Sequence, residues 1–194
     1  INSCMGQLLD DLQNEKPAEL RARSIESMNW FRNNLRQIRV RSTSLMDEFD
    51  AEGALQLGQM YMFFYDAKTQ DKLPYWDYFP LCIPIKRYKT GFMGLNLHYL
   101  PPILRAKMLD GLMSIAGKNI DDNTKFKLSY AMLQKSSKLK YFRPCYKHYL
   151  NAQVKSKFSE VKAPEWEIAT FLPTAQFRKR SNAKVYYDSR QMIG

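Results

Sequence analysis

Apolar residues recur every three or four positions in the first forty residues of the chain. The series consists of Ile25, Met28, Phe31, Leu35 and Ile38. This period places the five side chains on one stripe of an amphipathic helix. Pro17, followed closely by Glu19, suits the first turn of such a helix. The pattern therefore predicts an N-terminal amphipathic helix.

From residue 60 the pattern changes to short apolar runs that are typical of strands. Met60–Tyr65 is apolar and aromatic, Tyr75–Ile85 is rich in β-forming residues, and Phe92–Tyr99 alternates at its end. Pro80 and Pro84 interrupt the middle run, which predicts an edge strand or a bulged strand because proline cannot donate to a ladder. Three short strands at this spacing predict a small, bent, antiparallel sheet of SH3-like size.

Turn and cap residues set the next boundaries. Tyr88–Gly91 is typical of a turn, and we expect Gly91 at positive φ, where glycine costs least. Pro101 and Pro102 end the sheet and open a helix. Asp121–Thr124 is a cluster of capping residues, which predicts the start of a second helix there.

The C-terminal part of the chain is predicted from shorter patterns. We expect a third helical stretch after Pro144, reaching to about Val154. Trp166–Leu172 and Lys184–Tyr187 are candidate strands because aromatic and β-branched residues recur in them. The mixture predicts an α+β fold, in which a small, SH3-like, bent antiparallel sheet is surrounded by helices.

Four segments follow from this reading of the chain. We expect an N-terminal helical arm over residues 1–52 and a small β-barrel-like core over 53–100. A basic helical segment should span 101–157, followed by C-terminal strands and a basic tail over 158–194. The chain begins at Ile1 rather than at a methionine, which leaves open whether preceding residues are processed or missing.

Composition places the chain among basic proteins that can bury a core. Its 194 residues carry 30 Lys and Arg against 19 Asp and Glu, for a net charge of +11, and 45% are hydrophobic. That hydrophobic content excludes a disordered basic tail. No apolar run approaches the roughly 18 residues that a membrane helix needs, so we expect no membrane partner. The 3 cysteines are odd in number and far apart, which favours a reducing compartment of synthesis over a disulfide scaffold.

The positive charge is concentrated in three stretches around an acidic middle. Residues 47–80 hold seven acids and two lysines, whereas residues 125–157 hold nine Lys and Arg and no acid. Residues 21–41 and 177–194 are also basic, with one acid each. Such stretches are often solvated helix faces, but three together favour contact with a polyanion, nucleic acid first.

The candidate DNA-binding residues come from these basic stretches. On the N-terminal helix, Arg32, Arg36 and Arg39 lie along one edge of the apolar stripe. There an arginine can bury its stem and present its guanidinium to phosphate, although an ordinary helix edge is an equal alternative. The other candidates are Lys138, Lys140, Arg143, Lys147, Arg178, Lys179 and Arg180. Contacts of this kind would give affinity with little sequence readout.

Catalytic chemistry finds little support in the sequence. The histidines, His98 and His148, have no Ser or Cys motif beside them, and the cysteines lack the spacing of a zinc site. Glu160-Val-Lys162 has the Glu-x-Lys order that a Mg²⁺-dependent nuclease can use, but that site needs another carboxylate nearby. A nuclease is therefore the least favoured hypothesis, and we expect no catalytic residue, no metal, no cofactor and no small-molecule ligand.

A dense aromatic cluster covers residues 61–79. Aromatic rings can stack on bases, but the neighbouring charges are acidic and oppose a phosphate track there. We expect most of the cluster in the core, with Tyr75, Trp76 and Tyr78 forming a protein–protein contact. The acids in this region, Asp66, Asp71 and Asp77, lack the spacing of a calcium loop, so turn and cap roles are expected.

Four stretches of the chain have distinctive amino-acid sequences. They are Gln59-Met-Tyr-Met-Phe-Phe-Tyr-Asp-Ala-Lys-Thr69, Leu73-Pro-Tyr-Trp-Asp-Tyr-Phe-Pro80, Gly91-Phe-Met-Gly-Leu-Asn-Leu-His-Tyr-Leu-Pro-Pro-Ile-Leu-Arg105 and Trp166-Glu-Ile-Ala-Thr-Phe-Leu-Pro173. They resemble the DNA end protector, or head-completion, proteins of large contractile-tailed bacteriophages. The resemblance covers the middle quarter of the chain well and the C-terminal third loosely. Its motifs hold no catalytic residue.

The resemblance implies a non-enzymatic virion protein, synthesised in the cytoplasm of the host bacterium. Such a protein binds the end of packaged double-stranded DNA, shields it from host exonuclease, and completes the head at the head–tail connection. Its other partners would be virion proteins of the portal, neck or tail. A structural neck, tail or baseplate connector, whose basic residues pair with acidic neighbours, remains the alternative.

Overall fold

The computed structural model describes residue 29 and residues 55–116, 139–162, 165–171 and 174–194. Most of the predicted N-terminal helix, including Arg32, Arg36 and Arg39, lies outside the described residues. Lys138 and the predicted helix cap at Asp121–Thr124 lie outside them as well. The fold is therefore traced from residue 55 onwards.

Within the described residues, seven strands form two sheets. The strands are β1 (Met60–Met62), β2 (Trp76–Asp77), β3 (Leu81–Tyr88), β4 (Gly91–Asn96), β5 (Tyr146–Leu150), β6 (Ser159–Val161) and β7 (Phe177–Arg178). The larger sheet has the order β5–β4–β3–β1–β6, and β2 pairs with β7 in a separate ribbon. Every pairing between these strands is antiparallel. The structure confirms the α+β class with an antiparallel sheet, but it does not identify the sheet as SH3-like.

Helices follow and cover the sheet. They are α1 (Pro102–Ala116), α2 (Leu139–Phe142), α3 (Trp166–Thr170) and α4 (Asn182–Ile193), together with the 3₁₀ turns Leu97–Tyr99, Arg143–Cys145 and Asn151–Gln153. The predicted helix start at Pro101 and Pro102 is confirmed. Within the described ranges, no helix is both long enough and apolar enough to span a membrane.

Three predictions for the C-terminal part of the chain are wrong. The segment from Pro144 to Val154 is predicted to be helical, but it forms strand β5 flanked by two 3₁₀ turns. It pairs with β4, and this pairing makes its side chains alternate between the two faces of the sheet. Trp166–Leu172 and Lys184–Tyr187 are predicted strands, but Trp166–Thr170 forms α3 and Lys184–Tyr187 lies in α4, while residue 172 is outside the described residues. In α4 the buried residues are Val185 and Ser189, which have the spacing of one helix face.

Strand β3 carries the bulge that its prolines predict, but it lies inside the sheet rather than at its edge. Its register with β4 shifts between Pro84 and Lys86, which accommodates a residue without an N–H group. Gly91 does not have the positive φ expected of it, since Gly58 and Gly194 are the described glycines that do. Instead, a Cβ at Gly91 would lie 1.9 Å from the carbonyl oxygen of Tyr149, so glycine allows β5 to pair closely with β4.

The larger sheet is covered on both faces. One cluster joins alternate residues such as Met60, Met62 and Ile83 to Met108 and Leu112 of α1. A second cluster, on the other face, is aromatic and consists largely of Tyr61, Phe63, Tyr65, Trp76, Phe92 and Tyr149. The tip of the β3–β4 hairpin extends beyond this packing, and residues 86–90 are all exposed.

Candidate nucleic-acid interface

Arg178, Lys179 and Arg180 lie where β7 leads into α4, and all three are exposed. The guanidinium carbon of Arg178 lies 4.3 Å from the ring centre of Tyr78. Stacking of this kind leaves the in-plane donors of arginine available to an anion. Arg178 and Arg180 thus present positive charge at the surface, which a phosphate contact requires.

Lys179 has a different environment from its two neighbours. Its φ is 67°, a left-handed conformation that is uncommon for a residue with a Cβ. Its ammonium donates to the carbonyl oxygens of Gln70 and Leu73. Lys179 therefore ties β7 to the loop that precedes β2, and its donors are shared between this loop and any anion.

The second predicted basic group is divided between the surface and the interior. Lys140 and Arg143 are exposed at α2 and the turn that follows it. Lys147 is half-buried on β5, with its ammonium 3.9 Å from the ring centre of Tyr99. Burial lowers the pKa of Lys147. The structure therefore gives Lys147 an internal aromatic partner rather than an open path to phosphate.

The three aromatic residues predicted to bind another protein are largely covered by the chain itself. Trp76 is only 9% exposed and packs in the aromatic cluster. Tyr75 is half-buried, and burial together with Asp188 raises the pKa of its hydroxyl. Tyr78 is half-buried beneath Arg178. A partner at this surface would contact the edges of Tyr75 and Tyr78 and little of Trp76.

A basic and aromatic surface at the hairpin tip was not predicted from the sequence. We define the hairpin patch as Lys86, Tyr88, Lys89 and His148, all of which are exposed. The ammonium of Lys86 lies 5.2 Å from the ring centre of Tyr88, and the ring of His148 lies 5.2 Å away at 70°. The order Lys-Arg-Tyr-Lys in residues 86–89 was a signal that sequence reasoning could have used.

Sheet pairing explains how His148 reaches this patch. Met93 of β4 lies opposite Lys86 of β3 on one side and opposite His148 of β5 on the other. Residues that are opposite each other in neighbouring strands project from the same face. The patch thus combines residues of β3, the hairpin turn and β5, which β4 holds side by side.

His98 belongs to a buried polar network rather than to the surface. Its Nδ1 lies 2.8 Å from Oδ2 of Asp77, and its Nε2 lies 2.9 Å from Oγ1 of Thr174. Asn96 Nδ2 donates to the same Asp77 oxygen and to the hydroxyl of Tyr149. All five side chains are buried. The order of groups resembles a catalytic triad, but no substrate can reach it in this conformation.

Burial and hydrogen bonding act in opposite directions on the pKa values of the two ionisable groups in this network. It lowers the pKa of His98, and the opposing effect of Asp77 does not cancel this. Burial alone would raise the pKa of Asp77, but the interactions with His98 and the hydrogen bonds from Asn96 and the Phe79 N–H outweigh it, so the pKa of Asp77 is lowered. The network thus contains an ionised carboxylate and a neutral imidazole, which is an arrangement that links elements of the fold.

The structure gives the nuclease hypothesis no further ligands. Glu160 is exposed on β6, and Lys162 follows it with its N–H 3.2 Å from a carboxylate oxygen of Glu165. In the part of the chain that the structure describes, no three His, Cys, Asp or Glu side chains are grouped so that they could hold a metal ion. Glu160 and Lys162 therefore lie at the surface, and the described residues form no such ligand set around them.

Comparison with known proteins gives one family. No curated protein and no solved structure gives a significant match to the chain. The model of the family described as the phage T4 terminal DNA protecting protein matches residues 1–192, which is nearly all of the 194 residues. The match agrees with the four distinctive stretches of the sequence. The chain belongs to the phage T4 terminal DNA protecting protein family.

Proposed function

We propose that this chain is a virion protein that binds the ends of packaged double-stranded DNA and shields them from exonuclease. The family match over residues 1–192 is the observation that carries the proposal. The net charge of +11 supports it, because neutralising phosphates and releasing their counterions supplies most of the affinity of sequence-independent binding. In this role the protein acts by occupying the terminus, without catalysis.

Exposed cations are available for such contacts in the described residues. Arg178, Arg180, Lys140 and Arg143 are exposed, and arginine binds phosphate through paired donors. Arg32, Arg36 and Arg39 would add contacts from the N-terminal segment. Phosphate contacts of this kind do not depend on base identity, which suits a protein that must accept whatever sequence ends a packaged genome.

The same proposal places the protein at the head–tail connection, where it completes the head beside portal, neck or tail proteins. Support comes from the sequence resemblance to head-completion proteins. The half-buried edges of Tyr75 and Tyr78 are the part of the predicted contact that a neighbouring virion protein could reach. If the chain were a connector alone, Tyr75→Ala would block particle assembly while DNA affinity stayed unchanged.

Exonuclease protection tests the proposal. Linear blunt-ended duplex is incubated with the full chain, then with a processive double-strand exonuclease, and the intact fraction is followed with time. We expect slower degradation that depends on protein concentration and weakens steeply as salt rises. A heat-denatured sample of the chain is the control. Equal digestion rates with and without folded protein, at concentrations that saturate binding, would disprove the proposal.

A further inference from the structure

We propose that the hairpin patch is the surface that recognises a DNA terminus, with Tyr88 stacking on the last base pair and Lys86 and Lys89 contacting the phosphates beside it. This inference rests on the proposed function and gives it a site. The patch combines an aromatic ring with ammonium groups at an exposed tip, which is the composition of nucleic-acid stacking platforms.

The ring of Tyr88 is exposed but well positioned. Its exposed fraction is 40%, and Lys86 and His148 lie against the ring. Tyr88 also pairs with Gly91 across the hairpin, and the N–H of Asn151 donates to the carbonyl of Thr90 at 3.0 Å. A ring fixed by a paired hairpin loses little conformational entropy on binding.

The charge around Tyr88 suits phosphate. Lys86 and Lys89 are exposed, and no acidic side chain in the described ranges lies within ion-pair distance of either. Arg87 is exposed between them and already interacts with other groups of the chain. The two lysines are therefore able to contact the backbone of a duplex whose last base pair meets Tyr88.

The geometry distinguishes an end from the interior of a duplex. Inside a duplex each base pair is stacked on both faces, so a ring can stack there only after a base step has been opened, whereas the last base pair has a free outer face. The other exposed cations differ from the hairpin patch, since the ring beside Arg178 is half-buried and covered by that guanidinium, and Lys184, which lies beside the exposed Tyr187, is already paired with Asp188. Phosphate contacts supply affinity for any duplex, whereas Tyr88 supplies preference for its end.

A competition experiment tests this assignment. The full chain binds a labelled linear blunt-ended duplex, and the competitors are the same linear duplex or a relaxed, covalently closed circle of the same sequence. The variants are Tyr88→Ala, Tyr88→Phe and Tyr187→Ala. Tyr187 is the matched control because it is 55% exposed and has Lys184 at 4.9 Å from its ring centre.

We expect Tyr88→Ala to weaken binding to open ends about tenfold, since stacking on one base contributes on that scale. Its binding to the circle should be unchanged, and Tyr88→Phe, which keeps the ring, should bind ends like the unaltered chain. Tyr187→Ala should match the unaltered chain on both DNAs. Lys86→Ala with Lys89→Ala should weaken binding to both, with the salt slope reduced by about one per lost contact.

Two results would overturn the assignment while leaving the proposed function intact. One is that Tyr88→Ala binds open ends as tightly as the unaltered chain, and the other is an equal loss on linear and circular DNA. A different result would contradict the proposed function itself, namely that the unaltered chain binds the circle as tightly as the linear duplex.

Discussion

The imidazole of His98 lies 2.8 Å from the carboxylate of Asp77, and neither side chain reaches solvent. Because an ionised carboxylate can only accept, Nδ1 of His98 carries the proton and donates it to Asp77. Nε2 is then the acceptor, and it receives the hydroxyl proton of Thr174 at 2.9 Å. This chain of hydrogen bonds fixes β2 and the turn after β4 to the segment that leads into β7.

The neutral state of His98 predicts a pH dependence of stability. Burial holds the pKa of His98 below its ordinary value of about 6.5. As pH falls through about 6.5, the unfolded chain takes up a proton at this histidine before the folded chain does, so the free energy of unfolding decreases. The lowered pKa of Asp77 acts in the same direction, but only in more acidic solution.

Thermal unfolding between pH 8 and pH 5 measures this effect. The midpoint should decrease as pH falls below about 6.5. Replacing the exposed His148 by Gln provides the comparison, since that variant should retain most of the decrease. A midpoint that does not change across this range in the unaltered chain would contradict the neutral assignment of His98.

Arg105 should be among the residues whose loss most destabilises the fold. It is buried in α1 and donates to the carbonyls of Leu100 and Thr170 at 2.7 and 3.0 Å and to the hydroxyl of Tyr186 at 3.2 Å. Arg105→Ala would leave these acceptors without their donor and open a cavity, with an expected loss of about 3–5 kcal/mol.

Denaturant unfolding measures that loss. Tyr186→Phe removes only the bond to the hydroxyl and should cost about 1 kcal/mol. Lys107→Ala, a half-buried position on the same helix, is the matched control and should change stability by less than about 1 kcal/mol. A loss at Arg105 no larger than that at Lys107 would refute the linking role of the guanidinium.

Gly91→Ala should disturb the pairing of β4 with β5. The added methyl would meet the carbonyl oxygen of Tyr149 at 1.9 Å, so backbone must move. We expect a loss of about 1–3 kcal/mol, the scale of overpacking in a core. Hydrogen exchange of the β5 amides should accelerate more than exchange in β1. Unchanged exchange in β5 would show that the sheet absorbs the methyl group elsewhere.

Arg178 and Lys179 should differ in DNA binding although they are neighbours. Arg178→Ala removes a stacked guanidinium at the surface, so we expect weaker binding and a salt slope smaller by about one. Lys179→Gly keeps the left-handed backbone but removes the bonds to Gln70 and Leu73.

The expected phenotype of Lys179→Gly is therefore structural. Limited proteolysis should cut the loop over residues 66–74 faster in this variant than in the unaltered chain, because the loop has lost its tie to β7. Its DNA affinity should fall less than that of Arg178→Ala. The reverse order of affinities would place the phosphate contact at Lys179.

Local signals account for the parts of the fold that the sequence predicts well. Pro84 in β3 and the paired prolines at the start of α1 act through their own backbone, so no distant partner is needed to interpret them. The segments that became β5, α3 and α4 are short and carry few periodic positions. Their structure is decided by what they pack against, such as β4 in the case of β5.

The candidate interface also contains residues that local sequence identifies and residues that only the packing brings to the surface. Arg178 and Arg180 were found from charge alone, and both are exposed. Lys147 belongs to an equally basic stretch, but its ammonium packs on Tyr99, a contact between residues distant in the chain. His148 reaches Tyr88 only through the pairing of three strands. The sequence identifies the basic residues, but the register of the sheet determines which of them lie together at one surface.

The order of strands in the larger sheet has a consequence for synthesis on the ribosome. Strand β1 pairs with β3 on one side and with β6 on the other, yet β6 is among the last elements to be made. Until then the second edge of β1 has no partner, and such an edge can recruit strands from other chains. The growing chain therefore exposes this edge of β1 to pairing with other chains until residue 159 has emerged.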